Sequence, residues 1–409
     1  MRIIKVAINK TEKNIFIILT LVYFLRLFFY EIRPGVIFSL MALIIWGSFI
    51  YRGNICVKKE NILFVIYLMI IIFSGINYLL IQDTDSMLYF HGIQFLVLPM
   101  ALYLTGMISA RNRNDKILKQ IILSNVIIIG GGLLLYFLFQ DILTSFLYHL
   151  GENKFSVEYY KLYPRLISFI GSSTSVGTIS AVSIPLTFMF YDKYKLNFVC
   201  FSGLLSLFLL SAFLSMQRSA WVASVFAIIT SYIILYILYR ENKIKTSIKL
   251  LIFVVMVVII IYVMQLEQGN VMSFALERFY SIFNSNIIDR WTYGINIFEK
   301  HPFGIGIGRA SHKAIQFGFM GVADGNYFRI LSELGILGML LFLLLSMESL
   351  INSLKYNPYL FVVICIYLIQ AVASNIIDFA YSGSIFWFVI GYSNNLKVNL
   401  FKSRYNIKL

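Results

Sequence analysis

Two arginines of this sequence are placed where a phosphate group could be bound. Arg165 follows Pro164 and precedes a segment rich in Ser, Thr and Gly, and Arg218 lies in a very short link between two apolar segments. A guanidinium offers a fixed fork of donors that forms charge-assisted, bidentate bonds with phosphate oxygens. Each arginine has a structural alternative, because Arg165 could extend to lipid headgroups and Arg218 could anchor the chain beside Trp221. The position of these two arginines predicts that they bind a pyrophosphate group, and the two structural roles stay open as alternatives.

A third arginine, Arg290, stands eleven residues before a glycine-rich segment that runs from His301 to Arg309. Glycines at every second position there are similar to a dinucleotide-binding loop, but such a loop requires a preceding strand and a following helix. We therefore predict a turn whose backbone N–H groups can meet an anion. His301, which precedes Pro302, has either a direct catalytic role or a structural one.

Polar residues also cluster where the last third of the chain begins. Asn326, Arg329 and Glu333 fall on one stripe of a helix, at positions i, i+3 and i+7. Ionisable groups within an apolar helix are costly and normally face a cavity or one another, so Arg329 and Glu333 either meet a ligand or pair. Asp324, just before this helix, is the better candidate for a general base because it would meet both water and substrate.

Asp83 and Asp85 form another acidic cluster. A DxD pair can hold a divalent metal that binds a phosphate, although in a short turn it more often reflects turn chemistry. The sequence has no P-loop, HExxH, GxSxG or Cys/His ligand spacing, which argues against an ATPase, a zinc peptidase and a serine hydrolase. We expect no metal and no cofactor.

Apolar helices must position these residues. The 409 residues are 59% hydrophobic and only 13% charged, which leaves too little polar surface for a water-soluble protein. Apolar runs long enough to cross about 30 Å of hydrocarbon recur along the chain. The expected fold is all-α, a polytopic integral membrane protein with about twelve transmembrane helices in a single membrane domain, 1–409. The candidate spans are 14–30, 36–51, 61–81, 87–109, 118–139, 167–190, 196–215, 220–239, 250–266, 326–347, 358–376 and 383–394.

Topology accounts for the net charge of +15. With the N-terminus in the cytoplasm, most Lys and Arg fall in cytoplasmic loops, as the positive-inside rule requires. We expect a multi-pass protein of the plasma (inner) membrane with cytoplasmic N- and C-termini, surrounded by membrane lipids and without a nucleic-acid partner. Two long connections, 140–166 and 267–325, are expected to be outer loops. In the larger loop, apolar residues at helical spacing predict amphipathic helices along the membrane surface that end before Pro302.

Taken in order, these pieces resemble the O-antigen polymerase and ligase superfamily. The resemblance covers about residues 160–345 and is carried by Arg165 with its Ser/Thr/Gly-rich span, Gln217-Arg218-Ser219-Ala220-Trp221, Arg290-Trp291, His301 to Gly306, and Asn326-Tyr327 to Gly338. It implies a membrane glycosyltransferase similar to the GT-C class, with an active site under the large outer loop and a glycan donor linked to a lipid diphosphate. It also implies substrate contacts from Arg165, Arg218, Arg290, Asn326, Tyr327 and Arg329, the first three at the diphosphate, and a catalytic role at the acceptor for Asp324 or His301.

Ligases of this superfamily resemble one another in a His just before the segment that here begins Asn326-Tyr327, whereas this chain has Asp324-Gly325. The difference favours a polymerase of O-antigen or capsular repeat units, which moves the growing glycan from undecaprenyl diphosphate to the non-reducing end of the next repeat unit. Two alternatives stay open: a ligase that transfers glycan to a lipid A core or another outer acceptor, and a non-enzymatic transporter of lipid-linked glycan. The implied partners are the undecaprenyl-diphosphate-linked oligosaccharide and a chain-length regulator.

Overall fold

The computed structural model describes residues 2–31, 33–51, 61–75, 86–111, 115–149, 165–238, 277, 287–311, 314, 321–322 and 325–396. Regular structure in these ranges is entirely helical, which confirms the all-α expectation. The helices are α1 (Arg2–Leu25), α2 (Pro34–Tyr51), α3 (Ile62–Phe73), α4 (Ser86–Gly92), α5 (Ala101–Arg111), α6 (Lys116–Leu138), α7 (Gln140–His149), α8 (Ser173–Tyr194), α9 (Phe198–Leu214), α10 (Arg218–Leu238), α11 (Ile287–Lys300), α12 (Asn326–Tyr356), α13 (Pro358–Ala371) and α14 (Ala380–Asn394), with a π-helical turn at Ile93–Val97 and a 3-10 turn at Ile376–Asp378.

The helices are those of a polytopic membrane protein. In the described part of the chain, five segments are long and apolar enough to cross a bilayer: Met87–Arg111, Lys116–Leu138, Ser173–Tyr194, Arg218–Ile237 and Asn326–Tyr356. Shorter apolar helices cover Asn14–Leu25, Pro34–Gly47, Ile62–Phe73, Phe198–Leu214 and Pro358–Ala371. The expected span 250–266 and most of the expected outer loops lie outside the described residues.

The chain divides into two compact units. The first contains residues 1–15, 35–117 and 286–409, and the second contains residues 16–34 and 118–285. The arrangement of 1–409 as one membrane domain stays a prediction.

In the first unit, α5 and α14 cross at backbone contact distance. A Cβ atom on Gly106 would overlap the carbonyl oxygen of Phe388, and one on Gly391 would overlap that of Tyr103. Glycine at both positions therefore permits the close approach on which membrane helices rely when both surfaces are apolar. Buried aromatic rings continue this core, with Tyr67 of α3 lying 6.1 Å from Trp387 between ring centroids.

In the second unit, α8 is enclosed by protein. In the apolar part of Ser173–Tyr194, 89% of the residues are buried inside the protein. This burial confirms that a span rich in Ser, Thr and Gly packs against protein rather than lipid. Hydroxyl groups bridge to the neighbouring helices: Ser180 to Ser211 of α9 at 2.6 Å, and Asn125 of α6 to Ser183 at 2.8 Å. The helix begins at Ser173, later than the sequence suggested, because Ser172 caps it with a 3.2 Å bond from the Ser175 N–H.

Helix α12 is broken at Gly335, where φ is 66° and ψ is −166°. The two parts fold against each other, so that the ring of Tyr327 lies 6.2 Å from the ring of Phe342. In an unbroken helix these residues would be about 22 Å apart along the axis at 1.5 Å per residue. The expected span 326–347 is therefore a short helix, a sharp turn and a longer helix.

The last two helices form a short hairpin. Helix α13 has 14 residues and α14 has 15, so each is about 21–22 Å long, less than the roughly 30 Å of a bilayer core. The turn between them bonds to protein groups: the Ile377 N–H donates to Asn326 Oδ1 at 3.1 Å, and the Ser382 hydroxyl donates to the Ile376 carbonyl at 2.7 Å.

Candidate functional site

The second unit brings Arg165 and Arg218 to the same end of its helices. The N–H of Leu166, next to Arg165, donates to the carbonyl of Leu214 at the end of α9 at 2.8 Å. Arg218 is the first residue of α10, and it follows the last residue of α9, Leu214, by four positions. Both side chains are partly buried. We call these two residues, with Gln217, the arginine patch.

Two helix N-termini meet at the arginine patch. Gln217 donates through Nε2 to Thr174 Oγ1 at 2.9 Å and to Ser173 Oγ at 3.3 Å, which ties the start of α10 to the start of α8. Gly177 permits this contact, since a Cβ there would lie 2.8 Å from Ala220 Cβ. Helix N-termini carry partial positive charge and unpaired N–H groups, so two of them beside two guanidinium groups favour an anion.

The first unit contains a buried ionic cluster around Arg329. Arg329 Nε donates to Glu333 Oε1 at 3.2 Å, and Arg329 Nη1 forms an ion pair with Asp378 Oδ2. Asn326 Nδ2 donates to the other oxygen, Asp378 Oδ1, at 3.2 Å. The side chains of Arg329 and Glu333 are 4% and 2% exposed, and that of Asp378 is 14% exposed. We call Asn326, Arg329, Glu333 and Asp378 the carboxylate cluster.

The glycine-rich segment holds the carboxylate cluster in place. The N–H groups of Ile305 and Gly306 donate to the carbonyls of Ser332 and Glu333 at 2.9 and 3.0 Å, and Pro302 accepts from the Ile336 N–H at 3.0 Å. These bonds replace the helical ones that the break at Gly335 removes.

Positive φ angles at Gly304, Gly306 and Gly308 confirm the predicted turn. Its backbone also binds the cluster directly, because the Ala310 N–H donates to Glu333 Oε1 at 3.2 Å. Arg309, which is 5% exposed, donates through Nη1 to the Ile305 carbonyl at 2.8 Å. The turn thus presents a second buried guanidinium near the start of α12.

Helix α11 confirms the predicted helix that ends before Pro302. It packs on the start of α12: the ring of Trp291 stacks on that of Phe328 at 5.1 Å, and the Ser332 hydroxyl donates to the Gly294 carbonyl at 3.2 Å. Arg290 belongs to this helix, but its side chain lies outside the described part. Partial burial raises the pKa of the Tyr293 phenol, which therefore stays a neutral hydrogen-bonding group at physiological pH.

Of the remaining residues predicted from the sequence, the structure describes His301 and Tyr327. His301 directly follows α11 and is exposed, and Tyr327 is half-buried, with its hydroxyl donating to the Leu368 carbonyl at 2.9 Å. Asp324, like Asp83 and Asp85, lies outside the described residues. Among the residues that the structure describes, no three His, Cys, Asp or Glu side chains are grouped as metal ligands.

Sequence reasoning missed Asp378, which joins the cluster from the turn between α13 and α14. One signal was available, because Asp378 is the single acidic residue after Glu348. An isolated acid between two apolar spans calls for a partner in the same way as Arg329 does. The sequence could not pair them, since Asp378 lies 49 positions after Arg329.

Comparison with known proteins bears on residues of both the arginine patch and the carboxylate cluster. Residues 201–343 match the family model described as O-antigen ligase. Over these residues the chain is similar to the O-antigen ligase family. The match supports the superfamily that the sequence resembled over about residues 160–345. Comparison with curated proteins gives no match.

The matched region, residues 201–343, contains most of the candidate residues. Arg218, Arg290, His301, Asp324, Asn326, Tyr327 and Arg329 fall inside the matched range. Arg165 of the arginine patch and Asp378 of the carboxylate cluster fall outside it. The described contacts therefore bring residues from outside the matched region beside residues within it: Leu166 bonds to Leu214, and Asp378 pairs with Arg329.

Proposed function

We propose that this protein is a membrane glycosyltransferase that polymerises lipid-linked oligosaccharide repeat units of an O-antigen or capsular polysaccharide. It transfers the growing glycan from undecaprenyl diphosphate to the non-reducing end of the next repeat unit, at the outer face of the plasma membrane. The observation that carries this proposal is the match of residues 201–343 to the O-antigen ligase family, whose members are membrane enzymes similar to glycosyltransferases.

The reaction needs positive charge at the leaving group. An acceptor hydroxyl attacks the anomeric carbon, the new glycosidic bond forms, and the bond to the diphosphate breaks. Charge then develops on the diphosphate oxygens, where fixed cationic donors stabilise the transition state. The arginine patch supports this role because it combines Arg165 and Arg218 with the N-termini of α8 and α10. Arg290 is assigned to the same group by the family resemblance.

The reaction also needs a group that takes the acceptor proton. Asp324 and His301 are the candidates from the resemblance, and the exposed position of His301 after α11 supports access to a substrate. Asn326, Tyr327 and Arg329 are proposed to line the substrate site. The proposed cofactor requirement is none, because fixed guanidinium groups perform the charge stabilisation that a metal supplies elsewhere.

The polymerase assignment depends on one sequence difference, Asp324-Gly325 where ligases resemble one another in a His. The family description, O-antigen ligase, favours a second candidate: transfer of glycan to a lipid A core or another outer acceptor. Both reactions use the same donor. A chain-length regulator is a proposed partner of the polymerase alone.

A glycan size profile separates these functions. A deletion strain is complemented with wild type, Arg218→Ala or Asp324→Ala, and the glycan is released and sized. Single repeat units capped on the acceptor, with a ladder restored by wild type alone, support the polymerase. A full ladder that survives deletion but stays on undecaprenyl diphosphate identifies a ligase. Repeat units trapped on the cytoplasmic side would instead identify a transporter.

A further inference from the structure

The carboxylate cluster has more negative than positive charge. Arg329 alone faces both Glu333 and Asp378 within it, so these three side chains carry one net negative charge when all are ionised. Two carboxylates around the guanidinium of Arg329 favour a ligand that donates hydrogen bonds over one that only accepts them. A neutral ligand that donates hydrogen bonds suits this environment better.

The cluster also leaves hydrogen-bonding capacity unused. Arg329 Nη2 has no hydrogen-bond partner among the described residues, although its side chain is only 4% exposed. The hydroxyl of Tyr67, which interacts electrostatically with Arg329, Glu333 and Asp378, is fully buried and equally without a partner among these residues. Buried polar groups are normally satisfied, so two such groups at one place indicate that a further polar group belongs there.

Asp378 is the member of the cluster that a ligand can reach. Its side chain is 14% exposed, against 1% for the residue Asn326 and 4% for the side chain of Arg329. Both of its oxygens are held, one by Asn326 Nδ2 and one by Arg329 Nη1, so the carboxylate has a fixed orientation. An ionised carboxylate has about four acceptor positions, so Asp378 can accept from several donors at once.

A hydroxyl group fits this combination. It can donate to the Asp378 carboxylate and accept from a guanidinium, whereas a phosphate oxygen only accepts. We propose that Asp378, held by Asn326 and Arg329, binds a hydroxyl group of the acceptor sugar. This acceptor subsite rests on the proposed polymerase function, in which the carboxylate cluster takes the sugar that receives the chain.

The test uses an acceptor that cannot act as donor. An octyl glycoside of the strain's own repeat unit lacks a diphosphate, so purified full-length protein with natural lipid-linked donor transfers glycan to it in one direction only. For Asp378→Asn, the KM for this acceptor should rise about 10- to 100-fold. This factor corresponds to the loss of one hydrogen bond to a charged group. The KM for the donor should stay within about twofold.

Asp115→Asn is the matched control. Asp115 is also partly buried and accepts a bond from Tyr392 at 2.6 Å, but Tyr392 lies near the end of α14, whereas Asp378 precedes its start. The acceptor KM of this variant should equal that of wild type. A rise of the same size in Asp115→Asn would show that loss of a buried carboxylate acts through the fold, and would overturn the assignment.

Single-deoxy acceptors give a readout that does not depend on the stability of the variant. With wild type, the KM for one deoxy analogue should be about 10- to 100-fold higher than the KM for the full acceptor. With Asp378→Asn, the same analogue and the full acceptor should have equal KM values. If every deoxy analogue raises the acceptor KM by the same factor in wild type and in Asp378→Asn, the proposed subsite is wrong, but the polymerase function is unaffected. No transfer by wild type to the octyl glycoside overturns the polymerase, and the subsite with it.

Discussion

Gly335 lies so close to the carbonyl group of Pro302 that a side chain cannot fit between them. Its φ of 66° and ψ of −166° also belong to a region that is open essentially to glycine alone. The break in α12 and the turn at Pro302 therefore stabilise each other through one residue without a side chain.

Gly335→Ala should destabilise the protein by about 1–3 kcal/mol from backbone strain alone, and by more from the overlap with Pro302. Thermal unfolding in detergent and the amount of protein in the membrane both measure this. Gly203→Ala in α9 is the control, because nothing lies within 4 Å of the Cβ that it adds. Similar stability of the two variants would contradict the described contact.

Arg329→Met should destabilise the protein by about 3–5 kcal/mol, because it leaves Glu333 and Asp378 buried without their shared cation. Arg329→Lys keeps the charge but not the fork that reaches both carboxylates, so an intermediate loss is expected. Denaturation midpoints of the purified variants provide the comparison. If Arg329→Met proved as stable as wild type, the ionic pairing would have no structural importance.

Gly391→Ala should separate α14 from α5, since the added methyl group would overlap the Tyr103 carbonyl. We expect a loss of about 1–3 kcal/mol, the usual cost of overpacking a core. Gly130→Ala in α6 has open space around its Cβ and should be neutral or slightly stabilising. Protease resistance of membrane-embedded protein distinguishes the two, and equal resistance would count against the close crossing.

Arg218→Ala should reduce polymer formation about 10²- to 10³-fold while the protein stays in the membrane, because a donor to the leaving diphosphate is lost. Arg33→Ala is the matched control, since Arg33 is exposed and precedes the start of α2. In vitro transfer from lipid-linked donor measures the rate. Polymer of normal length and amount from Arg218→Ala would refute a role for the arginine patch.

Polymer formation should continue in EDTA, because guanidinium groups are assigned to the diphosphate. If activity is lost in chelator and restored by Mg²⁺ or Mn²⁺, the result would instead support a metal site formed by Asp83 and Asp85. The assay is the same in vitro transfer, with the chelator removed by dialysis before each metal is added.

Local signals in the sequence were enough to predict much of this fold. The Ser/Thr/Gly content of α8 predicted a helix surrounded by protein, and the apolar pattern before Pro302 predicted α11. Spacing of four residues allowed Arg329 and Glu333 to pair, and they do. Each of these signals lies within a few residues of the structure that it predicts.

The parts that the sequence did not predict depend on contacts between distant residues. Gly335 lies in an apolar segment, and membrane helices tolerate glycine. The local sequence therefore does not predict a break at this residue. The bonds that make the break possible come from residues 302–306, about thirty positions earlier. Asp378 is likewise recognisable as part of the cluster only when the helices that carry it and Arg329 are seen together.

Helices α13 and α14 keep Asp378 away from lipid. None of their residues is exposed, so the hairpin is surrounded by other parts of the protein. At about 21–22 Å each, both helices are shorter than the roughly 30 Å of a bilayer core, but lipid does not have to adapt to their length because protein covers them. The charge of Asp378 is therefore stabilised by Asn326 and Arg329 rather than by headgroups, and bilayer thickness should leave the carboxylate cluster unchanged.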